Sequence, residues 1–486
     1  MKKKFDQILS ELTCLSATGQ SNLEVTGIFY DSRNVRPGSI FVAIPGSYTD
    51  GHEFIPQAIE NGARVVVGER PYCKIDGNPE NYLRVEDARK ALAQISHLFY
   101  DRPTEELFVV GITGTNGKTT TAHLTRLVLG EGTDLISTLT HSESPPEEEP
   151  VTTPEAPEIH ETARKDVEEG ERNLVLEVSS HGLSLERVSW VDFDCGVFTN
   201  LTRDHLDFYD SMEEYAGEKM KLFSYLSWDD TAIINNDEDF STKIADETDA
   251  DLLGYGIEEV TDVYANEIER RKDGVSFKLN SPWGSARVGL KLPGLYNVYN
   301  ALAAVSVGLV RGVSLSSAVT SIEGAKRLSG RLDKLELNNG SDVYIDFAHN
   351  PGALERSLLE LQAYYERVLL VFGCGGRSDR GKRPEMGKVA TEHADRFFIT
   401  DDNPKGEDRS RILQDIERGV GEGADYAIIQ ERKDAIEAAI DELTPGSCLL
   451  VAGKGHEQYQ IVSGEWIEYN DREYVEKLAG EKSLLQ

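Results

Sequence analysis

The sequence predicts an α/β protein of three domains, and three observations carry that reading. The chain has 486 residues, about three times the roughly 150 residues usual for one domain. From Leu107 onward strands, glycine-rich turns and helices alternate, and the pattern starts afresh near Arg331; this is the rhythm of parallel sheets covered by helices. The block before Leu107 has short apolar runs joined by turn signals instead. The domains are expected over residues 1–98, 99–330 and 331–486.

Taken in order, strands are expected at Ile40–Ile44 and Arg64–Gly68, linked by turns such as Arg36-Pro37-Gly38 and Asp50-Gly51. Asp101-Arg102-Pro103 reads as a linker. Leu107–Ile112 is a buried strand and Thr119–Leu129 a helix, with further strands at Asn173–Val178 and Cys195–Phe198. Glu143–Pro150 is a polar, proline-broken loop and reads as solvated surface. In the last block the strands are Val368–Phe372, Arg396–Thr400, Tyr426–Gln430 and Ser447–Val451. Ligands of such sheets lie beyond the carboxyl ends of the strands. The loops there are Gly373–Gly376, Asp401–Lys405 and Gly453–Glu457.

Composition narrows the function. With 39% hydrophobic residues the chain has enough apolar mass for several cores. Lys and Arg number 51 against 85 Asp and Glu, a net charge of −34. That balance argues against a nucleic-acid coat or an anionic-membrane binder, both of which need clustered cations. The five cysteines are scattered without a CxxC pair, so neither a zinc module nor a disulfide framework is indicated, and a reduced cytoplasm is expected. Lys2–Lys4 has the charge of a signal-peptide start, but Asp6, Gln7 and Glu11 interrupt any apolar segment behind it. No run of 18 or more apolar residues suggests a membrane span.

The strongest motif is Gly111-Ile-Thr-Gly-Thr-Asn-Gly-Lys-Thr-Thr120, between a buried strand and a helix. Small residues let backbone N–H groups of Gly114, Thr115, Asn116 and Gly117 approach phosphate oxygens, and the helix N-terminus adds its positive end. Lys118 would reach the β- and γ-phosphates, and the Thr119 hydroxyl, beside Thr120, would bind Mg²⁺. Ile112 stands where the general phosphate-loop pattern has its first glycine. The loop predicts nucleotide binding without choosing among hydrolase, kinase, switch and ligase.

Four further motifs follow downstream: Glu177–Gly182, Thr199–Asp207, Tyr296–Asn300 and Asp346–Pro351. With the phosphate loop, with Asp31-Ser-Arg33 near the start and with Gly453–Glu457 near the end, they resemble the Mur ligases, over essentially the whole chain and most closely the MurE type. That type adds the third residue of the peptidoglycan stem peptide to UDP-N-acetylmuramoyl-L-alanyl-D-glutamate. The resemblance implies a small α/β UDP-sugar-binding domain, a central P-loop mononucleotide-binding parallel-sheet domain and a C-terminal Rossmann-like α/β domain. It also implies an ATP-dependent amide ligase acting through an acyl phosphate. The expected enzyme is a cytoplasmic monomer whose partners are its small-molecule substrates, with no nucleic acid and no membrane.

Site residues follow from the same resemblance. Glu177 and His205 align with ligands of a second Mg²⁺, so two metal sites are expected, at Thr119 and at Glu177, His205 and Lys219. Lys219 aligns with a lysine that carries a CO₂-derived carbamate, which converts a cation into a metal-holding anion. Asn297, Asn300, Arg331 and Asp346 match positions that hold the adenine, ribose and phosphates of ATP. Ser32, Arg33, Ser47 and Tyr48 match uridine and diphosphate contacts, while Thr152, Thr153, Ser179 and Arg187 match contacts to the muramoyl dipeptide.

The incoming amino acid is expected in the third domain, near Arg380, Asp402, Asn403, Lys405, Gly453 and Glu457. Family members that take meso-diaminopimelate carry Asp-Asn-Pro-Arg, whose Arg holds the far carboxylate; this chain has Asp402-Asn-Pro-Lys405. Lysine keeps the charge and loses the bidentate fork. A cation there repels the ε-ammonium of L-Lys and favours diaminopimelate, while Glu457 is expected to pair with the far ammonium. L-Lys remains the alternative substrate, and an archaeal pseudomurein ligase the alternative pathway. A second departure is Arg377-Ser378-Asp379, where the family often has Asp-Arg-Asp.

ATP and a UDP-sugar are polyanions, yet the chain is strongly acidic. Lys118, Arg187, Arg331, Lys382, Arg383 and Lys405 can make a positive cleft inside an acidic shell. The 85 acidic residues without an acidic tail then point to a high-salt cytoplasm, because salt screens the shell's self-repulsion. Melting temperature and activity are expected to rise with KCl from low ionic strength; an enzyme that works best at low salt would refute that adaptation.

Overall fold

The computed structural model describes residues 1–46, 49–140 and 151–485. Ser47 and Tyr48, and the polar loop from Glu143, lie outside the described residues. Three α/β domains follow one another along the chain. The first holds a five-stranded sheet in the order Ser16–Thr18, Tyr82–Arg84, Val65–Gly68, Ile40–Val42, Ile28–Phe29, parallel except at the Ser16 edge. Val65-Val-Val67 is buried on both faces, as expected of an apolar β-branched run in a covered parallel sheet. Helix Ala88–Phe99 packs on one face and helix Ile55–Glu60 on the other.

The central domain is built on a nine-stranded sheet. Strand Phe108–Thr113 sits between Asn173–Glu177 and Cys195–Phe198, and parallel pairing extends from Thr133–Ile136 at one edge to Val263–Arg271. The chain leaves Phe108–Thr113 toward one edge and returns to build the other, so a crevice opens at the carboxyl ends of these strands. Their register sets Ile112 opposite Glu177 and Thr113 opposite Phe198. Strands Gly274–Ser281 and Gly284–Leu290 add an antiparallel extension that the alternating pattern did not predict. Helix Leu295–Val310 is apolar on nearly every face and accordingly buried between the sheet and helix Lys118–Leu129.

The third domain has a six-stranded sheet, parallel except for its edge strand Asp333–Glu336. The four strands expected there lie within two residues of Arg367–Phe372, Arg396–Ile399, Tyr426–Ile428 and Ser447–Ala452. Among the described residues no helix is long and apolar enough to cross a membrane.

The first two domains meet where helix Ala88–Phe99 packs on helix Ala156–Glu169. His160 is fully buried there, both ring nitrogens lack a partner, and its ring lies 5.5 Å from that of His97. Burial, then His97, pushes the His160 imidazole down from 6.5 to about 3. Between those values the unfolded chain binds the extra proton, so stability falls as pH drops, by about 1.4 kcal/mol per pH unit per proton. His160→Phe should flatten that fall: the decline in melting temperature from pH 6.5 to pH 4.5 is expected to be smaller than in the unsubstituted protein. Identical declines would contradict the assignment.

Candidate active site

The phosphate loop leaves strand Phe108–Thr113 and enters helix Lys118–Leu129. Gly114 has φ +143°, and a Cβ there would stand 1.9 Å from Thr199 Oγ1; only glycine allows the approach. The Lys118 ammonium donates to the carbonyls of Gly114 and Thr115, both at 2.9 Å. Thr119 donates its hydroxyl to Glu177 Oε2 at 3.0 Å, and the other Glu177 oxygen accepts the Thr138 N–H at 3.1 Å. Glu177 is fully buried, which raises its carboxyl above the usual range; Lys118 and Arg331 act against that shift.

Lys219, on helix Met212–Ser224, is 1% exposed. Its Nζ donates to Gly114 O at 2.9 Å and lies 4.4 Å from the centre of the Tyr215 ring. Burial, followed by the neighbouring Lys118, holds its amine far below the normal lysine range. His205 adopts the left-handed conformation (φ +56°), with its ring 4.8 Å from that of His181. Among the described residues no three His, Cys, Asp or Glu side chains are grouped to hold a metal unaided. The donors at this place are instead a hydroxyl, Glu177, His205 and an amine that burial disfavours as a cation. A metal fits that set once Lys219 carries an anion.

From the far side, Asn297 and Asn300 of helix Leu295–Val310 form a buried chain to the phosphate helix. Asn300 donates to Asn297 Oδ1 at 2.9 Å and accepts the Thr121 hydroxyl at 3.2 Å. Arg331 reaches across from the third domain to Thr119 Oγ1 at 3.2 Å and stacks 4.8 Å from the centre of the Phe347 ring. Asp346 accepts the N–H groups of Leu332 and Ala348. All four line one cavity of about 910 Å³, together with Thr115–Thr120, Glu177, His205 and Lys219. Gly114 lies beneath that lining.

Toward the first domain, Thr152, Ser179 and Arg187 line the same cavity. Thr153 lies behind them: its hydroxyl donates to Glu177 O at 2.8 Å and accepts the Ser179 N–H at 2.9 Å. Arg187 donates to Thr153 O at 2.8 Å and pairs with Glu155 at 2.8 Å. Ser32 is buried and donates to Gln57 Oε1 at 2.7 Å, while Arg33 pairs with Asp31; neither lines the cavity.

Of the third-domain candidates, Lys405 (φ +57°) faces the cavity, with Arg377, Ser378 and Lys382. Arg380 pairs with Glu407 at 3.0 Å. Asp402, Asn403, Gly453 and Glu457 form a cluster just behind. Asn403 Nδ2 donates to Glu457 Oε2 at 2.9 Å, and a Cβ on Gly453 would stand 2.3 Å from Asp402 Oδ2. Glu457, expected to await an external ammonium, already accepts the ammonium of Lys454 at 2.7 Å. Lys454, inside the Gly453–Glu457 string, is a residue of the site that the motif alone does not single out. Nor does the Thr199–Asp207 motif single out Asn200 and Asp204, which hold the phosphate loop and the third domain's Asn350, respectively.

Three α/β domains around one cleft, the central one carrying the phosphate loop, define a class, and the chain matches its domain models in order. They are the Mur ligase family catalytic domain at residues 24–100, the Mur ligase middle domain at 112–308 and the Mur ligase glutamate ligase domain at 330–455. The chain belongs to the Mur ligase family. A UDP-N-acetylmuramoyl-L-alanyl-D-glutamate–2,6-diaminopimelate ligase of Bacillus licheniformis is 40% identical over 478 residues, 95% of this chain and 96% of that protein. The ligase of the same name from Caldanaerobacter subterraneus is 38% identical over 470 residues, again 95% and 96%. A solved structure bearing that name superposes with TM-score 0.67 at 28% identity, covering 99% of this chain and 100% of the other. The MurF ligase of Thermotoga maritima in complex with ADP shares the fold, with TM-score 0.65 at 19% identity over 88% and 94% of the two chains.

Proposed function

We propose that this chain is an ATP-dependent acid–amino-acid ligase that joins meso-diaminopimelate to UDP-N-acetylmuramoyl-L-alanyl-D-glutamate in peptidoglycan precursor synthesis. The observation that carries the reading is one cavity onto which Lys118 and Thr119, Arg187 and Lys405 all open. Phosphate loop, acid-binding wall and amine-binding wall thus face a common space. The names of the full-length relatives support the same substrates.

A carboxylate is a poor electrophile. Its oxygen attacks the γ-phosphorus of ATP, ADP leaves, and an acyl phosphate forms. The neutral amine of the amino acid then attacks the acyl carbon, loses a proton and expels phosphate, leaving the amide. Positioning and charge neutralisation supply most of the catalysis. Lys118 exchanges its two loop carbonyls for phosphate oxygens. Asn297, Asn300, Arg331 and Asp346 hold the nucleoside side. Thr152, Thr153, Ser179 and Arg187 hold the dipeptide, with the Arg187 guanidinium facing its carboxylate, while Ser32, Arg33, Ser47 and Tyr48 take the uridine diphosphate. Arg380, Asp402, Asn403, Lys405, Gly453 and Glu457 take the amino acid. Mg²⁺ held by Thr119, and by Glu177, His205 and Lys219, would neutralise charge on the transferred phosphoryl group.

Lys219 is suited to its part because burial beside Lys118 favours the free amine. That amine adds to CO₂: the N–C bond forms, a proton leaves to solvent, and the carbamate anion remains. The enzyme acts in the cytoplasm as a monomer in this reading.

Phosphate release from ATP is expected to require both the UDP-muramoyl dipeptide and diaminopimelate; strict preference for lysine, or release without the UDP substrate, defeats the proposal. Lys219→Ala should lose activity by at least about 100-fold, in the range of losing a charge-stabilising group, and added formate or acetate should restore part of it. Full activity in the variant removes Lys219 from the mechanism.

A further inference from the structure

The third domain's loops beside the cleft and the helices behind them carry acids, and cations of the same domain answer them. Glu407 pairs with Arg383 at 2.8 Å and with Arg380 at 3.0 Å. Asp415 pairs with Arg383 at 3.1 Å, Asp401 with Arg409, and Asp471 with Arg432 at 2.7 Å. Glu457 pairs with Lys454 at 2.7 Å. What these loops present to the cavity is Arg377, Ser378, Lys382 and Lys405.

Lys454, with Arg383, is fully buried among these cations. The Lys454 ammonium donates to Asn403 Oδ1 at 3.0 Å as well as to Glu457. Asn403 closes the ring through its own bond to Glu457 and accepts the Ile461 N–H at 3.0 Å. The Glu457 side chain keeps 19% of its surface exposed, so the ring has an open rim. A lysine side chain already occupies the place that the ammonium of a substrate could take against this carboxylate.

We propose that Lys454 is a specificity-determining positioning residue: its buried ammonium neutralises Glu457 from behind, so the wall accepts an amino acid whose far ammonium is accompanied by a carboxylate and disfavours one with the ammonium alone. This rests on the ligase reading above. An external ammonium gains little from a carboxylate that is already paired, and it meets the positive field of Lys405 and Arg377. A far carboxylate finds those two cations. Without Lys454 the half-buried Glu457 carboxylate keeps the Asn403 amide but no opposite charge, a costly state, and the ammonium of L-Lys relieves it. Specificity between the two substrates is therefore a charge difference built in behind the contact surface.

The test measures kcat/KM for meso-diaminopimelate and for L-Lys by phosphate release, with ATP and the UDP-muramoyl dipeptide saturating. Lys454→Met is expected to lower the diaminopimelate-to-lysine ratio by about tenfold or more, in the range of one lost charge interaction, with the KM for ATP unchanged. Lys454→Arg should restore the ratio in part. The double variant Lys454→Met with Glu457→Gln leaves no unpaired charge to destabilise it and should lose the gain toward lysine. Equal loss for both amino acids, a gain toward lysine that survives in the double variant, or failure of all three proteins to fold would reduce Lys454 to a structural role and overturn the proposal. If the unsubstituted enzyme releases no phosphate in response to diaminopimelate, the ligase reading itself falls first. A diaminopimelate-dependent enzyme with an unchanged ratio in Lys454→Met defeats this inference alone.

Discussion

The site depends on one close approach: the phosphate loop lies directly on the segment that follows strand Cys195–Phe198. Thr115 N–H donates to Asn200 O at 2.9 Å, and Asn116 N–H to the Asn200 side chain at 3.0 Å. Asn200 Nδ2 and the Thr199 hydroxyl both donate back to Asn116 O, at 2.9 and 2.8 Å. The Thr202 N–H donates to Thr115 Oγ1 at 3.0 Å. These bonds satisfy backbone groups of the loop and keep its curvature without a ligand. They also set the start of the segment that carries Asp204 and His205. Loop, acids and the contact to the third domain through Asn350 thus descend from one packed turn.

The same turn explains how an acidic chain can hold a positive cleft. Lys118 and the buried amine of Lys219 converge on the single carbonyl of Gly114, each at 2.9 Å, and Lys118 with Arg331 carries the positive charge of the cleft. Arg331 lies close enough to Glu177 to stabilise its ionised form, although burial dominates. Each charge here is set in a low-dielectric pocket where it acts strongly, whereas few Asp and Glu among the described residues are buried and the rest are screened by water and salt. Net charge therefore describes the shell, and local burial describes the chemistry.

Much of this was legible in the sequence, for identifiable reasons. Strands such as Val65–Gly68 and Arg367–Phe372 are continuous apolar runs between turn signals, so burial on both faces leaves little choice of state. The phosphate loop is local, and its small residues and Lys118 declare themselves by spacing alone. The antiparallel strands Gly274–Ser281 and Gly284–Leu290 escaped because they form a hairpin with no crossover helix, outside the strand–helix alternation, although Val275, Phe277 and Leu279 are buried in alternation with Ser276, Lys278 and Asn280. The pairing of Lys454 with Glu457 escaped for another reason: the sequence gives residue types, while whether a carboxylate is already answered from within depends on which way a neighbouring chain turns. Ser32 is the converse case. Its motif was plain, but its hydroxyl is engaged by Gln57, set by a helix 25 residues further on.

The contacts that bring the third domain to the phosphate loop are mostly polar, with Tyr296 of the central domain the apolar exception against the third domain's core. Asn350 donates to Asp204 at 3.0 Å and to Asn116 at 3.2 Å, and Arg331 bonds Thr119. From the other side Lys272, at the turn between strands Val263–Arg271 and Gly274–Ser281, pairs with Asp342 at 2.7 Å, and Arg270 with Glu360 at 3.6 Å. Groups of this kind lose hydration when they meet, so the net gain from closing them is small compared with burying an equal apolar area. An interface poised near balance is one that a bound nucleotide can tip, since RT ln(1 + [L]/Kd) at only 100 times Kd is about 2.7 kcal/mol. Polar closure therefore suits a ligase whose three substrates must enter and whose products must leave through the same cleft; an apolar seam of the same size would hold the domains shut whether or not the site was filled.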